Sequence, residues 1–363
     1  DHRDLHSFPT RRSSDLTHIS IVNLTNRGVR FTYIYRRDHF AHLQFYINLE
    51  GCFMAMYILK ALCVIGILLN VILMAKKTKE LRANPEKDPE LELNGEELWK
   101  RGLQPKNLIA TCFIGFFANF LDTLGIGSFA PSSAGFKLTK SVDDILVPGT
   151  LNVGDTVPVC VEAFLFFGFV EMDILTLVLM IVVSILGSFV MADIVSKFDR
   201  KKVRYALFVG LFLLASVVLM KNLGVGPFGT QGEALGLRGI KLEVAVVGNF
   251  IFGALMSIGV GLYAPCMAMV LALGMNAGCA FPAMMGSCAF LMAFGNGPKF
   301  ISAGRFDPVA CWTQAIFGAA GVYVAYKFVG SMDINVLTKI IVVVVYLTAF
   351  LYLHDAIKKG DAA

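Results

Sequence analysis

Leu124-Gly125-Ile126-Gly127-Ser128-Phe129-Ala130-Pro131-Ser132-Ser133 sets two glycines and a proline inside an apolar run. Ile258-Gly259-Val260-Gly261-Leu262-Tyr263-Ala264-Pro265-Cys266 repeats the arrangement at an offset of 134, Gly259 standing against Gly125. Glycine costs backbone entropy in a helix interior and proline removes a hydrogen-bond donor there, so each stretch reads as a break between two helices. The same offset pairs Ala134 with Ala268, Pro148 with Pro282, Asp173 with Asp307, Gly187 with Gly321 and Asp199 with Asp333, and no gap is needed. Glycine, proline and aspartate recurring in register from Gly125 to Asp199 mark an internal repeat.

The repeat lies in a chain built for lipid. Of 363 residues, 56% are hydrophobic and 16% charged, a balance far from that of a soluble domain. The apolar residues fall in blocks such as 174–195 and 336–353, each long enough to cross the roughly 30 Å hydrocarbon layer as a helix. The net charge of +5 comes from basic residues at block ends such as Lys197 to Arg204. That placement fits membrane topology and argues against nucleic acid as a partner. The eight cysteines form no Cys-x-x-Cys pair and read as small buried hydrophobes. All six histidines lie near the termini (His2, His6, His18, His39, His42, His354), so neither a metal site nor a cofactor is expected in the apolar region.

Residues 6–16, His-Ser-Phe-Pro-Thr-Arg-Arg-Ser-Ser-Asp-Leu, resemble the in-frame translation of a sequencing-library adapter, and Met54 and Met56 stand just ahead of the first apolar block. Residues 1–53 are therefore expected to be a non-native segment. Residues 54–75 read as an anchor transmembrane helix followed by Lys76, Lys77 and Lys79. Residues 76–106, with eight basic and seven acidic residues, read as a charged cytoplasmic loop. The first transmembrane repeat is placed at 107–221, a glycine-rich linker at 222–241, the second repeat at 242–354 and a cytoplasmic tail at 355–363.

Each repeat divides into five helical stretches, in the first copy 107–124, 128–138, 145–169, 174–196 and 203–220. An odd number inverts the second copy relative to the first. With 76–106 inside, the inner loops carry 19 basic residues and the outer loops five, in keeping with the positive-inside rule. The stretch 128–138 is too short to span and reads as half of a re-entrant pair. The expected fold is all-α: a polytopic helical membrane protein of two inverted repeats with broken or re-entrant helices, multi-pass in the inner (plasma) membrane.

Backbone amides freed at a break are tolerated where they line a cavity, and a half-helix starting near Ser128 turns its positive dipole end inward. That is chemistry for a small anion. Candidate binding residues are Gly125, Gly127, Ser128, Pro131, Ser132 and Asn152 in the first copy, with Gly259, Gly261, Pro265, Cys266 and Ser287 in the second. Asp122 and Glu162 are intramembrane acids, costly to place and so candidates for carrying a coupled proton. The bland reading of the same residues is close helix packing by the glycines and structural pairing by the acids.

The Gly-x-Gly break at Gly125 to Gly127, the stretch Val147-Pro148-Gly149-Thr150-Leu151-Asn152-Val153-Gly154 and the run Gly259 to Pro265 followed by Pro282-Ala283-Met284-Met285-Gly286-Ser287-Cys288 resemble the sulfite exporter family TauE/SafE. The resemblance covers residues 107–353. It implies a permease for sulfite, an organosulfonate or another small anion. Many members continue the first break with further glycines, whereas Ser128 and Phe129 stand here and narrow the backbone opening. The function expected is therefore efflux of a small anion through a midplane site between the two breaks, with the lipid bilayer as the other partner. The rivals are an accessory subunit of a membrane complex and a membrane-embedded enzyme. No nucleophile-and-base or metal constellation in the apolar sequence favours the enzyme.

Overall fold

The structure is a computed structural model that describes residues 24–26, 29–31, 39–167, 172–226, 232–328 and 335–358. The adapter-like stretch at 6–16, residues 227–231 of the expected linker and residues 359–363 of the expected tail lie outside the described residues. The chain divides into two compact units, Asp1–Ala55 and Met56–Ala363. In the first, strands β1 (Leu24–Asn26) and β2 (Val29–Phe31) pair antiparallel, Leu24 opposite Phe31.

From residue 39 onward the described chain is helical. Helix α1 (His39–Ala83) runs past the expected end of the anchor at residue 75, because Lys76, Lys77, Lys79 and Glu80 are good helix formers and Arg82 suits the negative end of the dipole. The expected loop also holds a helix, α2 (Gly95–Gly102). Asn94 accepts from the Glu97 amide at 2.9 Å while Glu97 accepts from the Asn94 amide at 2.9 Å, a reciprocal capping box.

From here the helix boundaries repeat at the offset of 134. Helices α3 (Pro105–Thr123) and α4 (Phe129–Thr139) match α9 (Ile240–Met256) and α10 (Tyr263–Ala272). The expected stretch 145–169 is two helices, α5 (Val147–Gly154) and α6 (Thr156–Phe166), which meet at Asp155. Their counterparts are α11 (Ala280–Phe290) and α12 (Gly297–Ala303), joined by a π-helical turn over Leu291–Asn296. Helix α7 (Ile174–Val195) matches α13 (Pro308–Thr313) and α14 (Ala319–Phe328), which continue through a π-helical turn at Gln314–Gly318. Helix α8 (Arg200–Leu223) matches α15 (Asn335–Lys358).

The packing is reciprocal in the same register. Gly187 of α7 lies so close to α9 that a Cβ would overlap the Phe250 carbonyl oxygen, and Gly321 of α14 lies equally close to the Phe116 carbonyl of α3. Residues 187 and 321 are one repeat apart, and so are 116 and 250. Gly253 against Ser184 is mirrored by Gly318 against Asn119. Each of these contacts has its counterpart one repeat away. Small residues at these seams let the backbones approach closely.

Helix α7 shows the solvent for which the unit is built. Leu175, Val178, Val182, Leu186, Phe189, Val190 and Ile194 face out, while Thr176, Ser184, Gly187, Ser188 and Ala192 are buried. The outward face is large and apolar, while the small and hydroxyl-bearing residues lie inward among Leu177, Met180, Ile181 and Val195, as suits a membrane helix packed against others. Met54–Ala83, Ile174–Val195 and Pro308–Lys327 are each long and apolar enough to cross a bilayer. The protein is a helical membrane protein.

Two polar clusters mark the two ends of α7, about 33 Å apart for its 22 residues. At its start, Asp173 caps Thr176, pairs with Arg238 at 2.8 Å and donates its amide to the Leu235 carbonyl, while Lys241 donates to the Leu273 carbonyl. At its end, Arg305 binds the carbonyls of Ser196 and Phe198, Arg200 pairs with Asp143, and Lys137 and Arg204 pair with Asp144. Lys137 also pairs with Asp355, and Arg101 with Asp307. Helix α3 thus starts and α4 ends in the second cluster. Helix α9 starts and α10 ends in the first.

Candidate functional site

The two breaks are built alike. At the end of α3 the Gly125 amide bonds the Asp122 carbonyl at 2.7 Å and the Ile126 amide reaches back to Leu121 at 3.2 Å, with Gly125 at φ 78°. At the end of α9 the Gly259 amide bonds Met256 at 3.0 Å and the Val260 amide reaches Leu255 at 3.3 Å, with Gly259 at φ 97°. Both are Schellman endings, which need a left-handed residue and so select glycine. Gly127, at φ 99°, makes a second left-handed step that re-aims the chain into α4. Pro131 and Pro265 fall in the first turns of α4 and α10, where a missing N–H breaks no helical bond.

Residues of both breaks line one cavity, Ile126, Gly127, Ser128 and Phe129 from the first and Gly261, Leu262 and Tyr263 from the second. Asp122, Val159, Met256 and Cys288 complete the wall of a cavity with room for about one water molecule. The N-terminus of α4 opens here. Its amide at Ser128 is already taken: Asp122 Oδ1 accepts the Ser128 N–H at 2.8 Å. The anion drawn to this helix end is the protein's own carboxylate. Met256 holds the position that matches Asp122 in the second copy, so the charge is on one side only.

Asp122 is one of three buried acids. Glu162 on α6 accepts from the Tyr263 hydroxyl at 2.9 Å, and its carboxyl lies within side-chain hydrogen-bonding reach of Asp122. Asp155, at the junction of α5 and α6, accepts from Asn119 at 3.0 Å and Gln314 at 3.1 Å. One oxygen of each acid, Asp122 Oδ2, Glu162 Oε1 and Asp155 Oδ2, has no donor. Among the described residues no lysine, arginine or histidine pairs with any of them. Three buried carboxylates without a cation would be very costly. Among the described residues no group of three or more His, Cys, Asp or Glu side chains is arranged to hold a metal ion.

Of the residues expected at the site, Gly127, Ser128, Gly261 and Asp122 line the cavity, and Glu162 reaches it through Tyr263. Gly125 and Gly259 shape the turns behind it. Ser132, Cys266 and Ser287 are fully buried but form no part of the cavity wall. Ser287 receives the Asn249 side chain at 2.8 Å. Asn152 holds helix ends together, donating to the Pro148 and Met256 carbonyls and accepting from Asn296 at 2.7 Å. Tyr263 and Cys288 enter the site without having been among the expected residues. Tyr263 had a signal in the repeat: it replaces Phe129 and adds a hydroxyl at a break.

No protein-family model, curated protein or solved structure matches the chain.

Proposed function

We propose that this protein is a permease that moves a small anion across the membrane, through the cavity between its two helix breaks. The observation that carries the reading is that one cavity is walled by both Gly-x-Gly breaks, residues 126–129 and 261–263. A broken helix is tolerated at membrane depth where it lines a cavity or is buried in protein, and the paired arrangement is that of transporters built from repeats.

The inverted relation of the two repeats belongs to this reading. It is supported by α3 and α4 beginning and ending in one polar cluster while α9 and α10 begin and end in the other. On that reading α3–α4 and α9–α10 are re-entrant pairs that approach each other from opposite faces. On this reading the protein is multi-pass in the plasma membrane with the cluster of Arg200, Arg204 and Arg305 on the cytoplasmic side, which the 19 to five bias of basic residues supports.

Sulfite or an organosulfonate is the substrate class that the TauE/SafE-like motifs suggest. The test is flux in proteoliposomes. Purified protein should accelerate movement of sulfite or a small sulfonate over protein-free vesicles, and Gly127→Leu should abolish the acceleration. An accessory subunit or an enzyme would give no flux in either case.

A further inference from the structure

We propose that Asp122 is a built-in competitor for the transported anion: its carboxylate holds the Ser128 amide when ionised and releases it when the Asp122–Glu162 pair takes up a proton, so that one proton enters with each anion. The inference rests on the anion-permease reading and specifies how that site is loaded.

Three observations lead to it. The amide that opens α4 is occupied by Asp122 Oδ1 at 2.8 Å, and a helix end cannot hold two anions at one N–H. The cavity beside it has room for about one water, too little for an oxyanion unless the carboxylate moves away. Asp122 Oδ2, on a side chain 2% exposed, has no donor, and neither has Glu162 Oε1, although the two carboxyls lie within bonding reach of each other. A proton taken from water onto this pair supplies the missing donor. Asp122 then turns from the amide to its acidic neighbour, and the amide is left for the solute.

The charge balances. One proton and one monoanion enter together, so the buried region gains no net charge, which matters where no cation is at hand. The titratable groups that face Asp122 are Glu162 on α6, Asp155 between α5 and α6, Tyr263 on α10 and Cys288 on α11. None is basic. Met256 of α9 offers no charge.

The test uses purified full-length protein in detergent with methanesulfonate, which stays singly charged across the working range. Calorimetric titration in buffers of different ionisation enthalpy counts the protons taken up per anion. Wild type should take up about one, and its apparent Kd should weaken by about tenfold per pH unit on the alkaline side of the pair's titration. Asp122→Asn mimics the protonated acid, and Asp122→Ala removes it. Each should bind with no proton uptake and a flat profile between about pH 5 and pH 8. Wild-type binding without proton uptake, or an unchanged pH profile in both variants, would overturn the linkage while leaving the anion site standing. Failure of wild type to bind methanesulfonate, sulfate or sulfite at any of these pH values would remove both the linkage and the anion reading.

Discussion

Asp173 and Asp307, one repeat apart, cap matching helices at opposite ends of α7: Asp173 accepts the Thr176 amide at 2.9 Å in the Arg238 cluster, and Asp307 accepts the Ala310 amide at 3.1 Å in the cluster of Arg101 and Arg305. Two equivalent residues at opposite ends of one long apolar helix are what the proposed inverted arrangement of the repeats expects. Single cysteines at Lys201 and Leu235, in a background without the eight native cysteines, should therefore react with an impermeant maleimide from opposite sides of oriented vesicles. Labelling of both from one side would rule out the inverted arrangement.

The Arg238 guanidinium beside Asp173 holds that carboxyl well below the usual carboxylate range, by direct hydrogen bonding and charge, with the Thr176 hydroxyl and amide adding to it. A carboxyl whose folded pKa is depressed contributes stability above its unfolded value near pH 4 and loses it as the pH falls towards the folded one. Arg238→Gln should therefore melt below wild type at pH 7. The gap in Tm should begin to narrow as the pH falls below about 4 and go on narrowing towards the depressed folded value. Arg238 is an exposed partner, so the gap is expected to be small.

Gly187 and Gly321 separate packing from function. A Cβ at either would overlap a backbone carbonyl, that of Phe250 or Phe116, and carbonyls on a helix cannot step aside alone. Gly187→Ala and Gly321→Ala should each cost roughly 1–3 kcal/mol through forced separation of the helices. Thermal unfolding in detergent reads this directly. A change in substrate preference at unaltered stability would contradict it.

The unit boundary between Ala55 and Met56 bears on the segment ahead of the first apolar block. A chain beginning at Met54 should insert, purify and transport as the full chain does. Aggregation or loss of flux on truncation would show that the first 53 residues are needed for folding.

Much of this architecture is legible in the sequence because glycine and proline carry backbone requirements locally. Gly125 and Gly259 announce left-handed helix endings, and the offset of 134 pairs elements before any contact is known. Helix α2 was missed within the expected loop, although Asn94 and Glu97 have the spacing of a capping box, because the density of charge in 76–106 outweighed that local signal. The chemistry of the cavity was not legible either. Asp122, Glu162 and Tyr263 lie on α3, α6 and α10, and nothing local tells that their side chains meet. Nor does sequence say that the Ser128 amide is already bonded. The π-helical turns at 291–296 and 314–318 are likewise consequences of packing between helices.

The break glycines face the opposite demand from Gly187. A Cβ at Gly127 would meet nothing nearer than Tyr263 Cβ at 4.0 Å, so there is open space, but φ of 99° is a conformation that L side chains rarely adopt. Gly127→Ala should cost about 1–2 kcal/mol of backbone strain and leave the cavity passable. Gly127→Leu adds a side chain that has only the cavity to occupy, beside Ser128 and Tyr263. Gly261→Leu should act from the other wall. Sulfite and methanesulfonate flux in proteoliposomes should then fall at least tenfold for both leucine variants and by much less for Gly127→Ala. All three should still elute as one species in detergent, the leucine variants with some loss of thermal stability, because a cavity with room for about one water takes a leucine only by displacing its walls. Undiminished flux in the two leucine variants would make these glycines turn residues only and take the transport path away from the cavity.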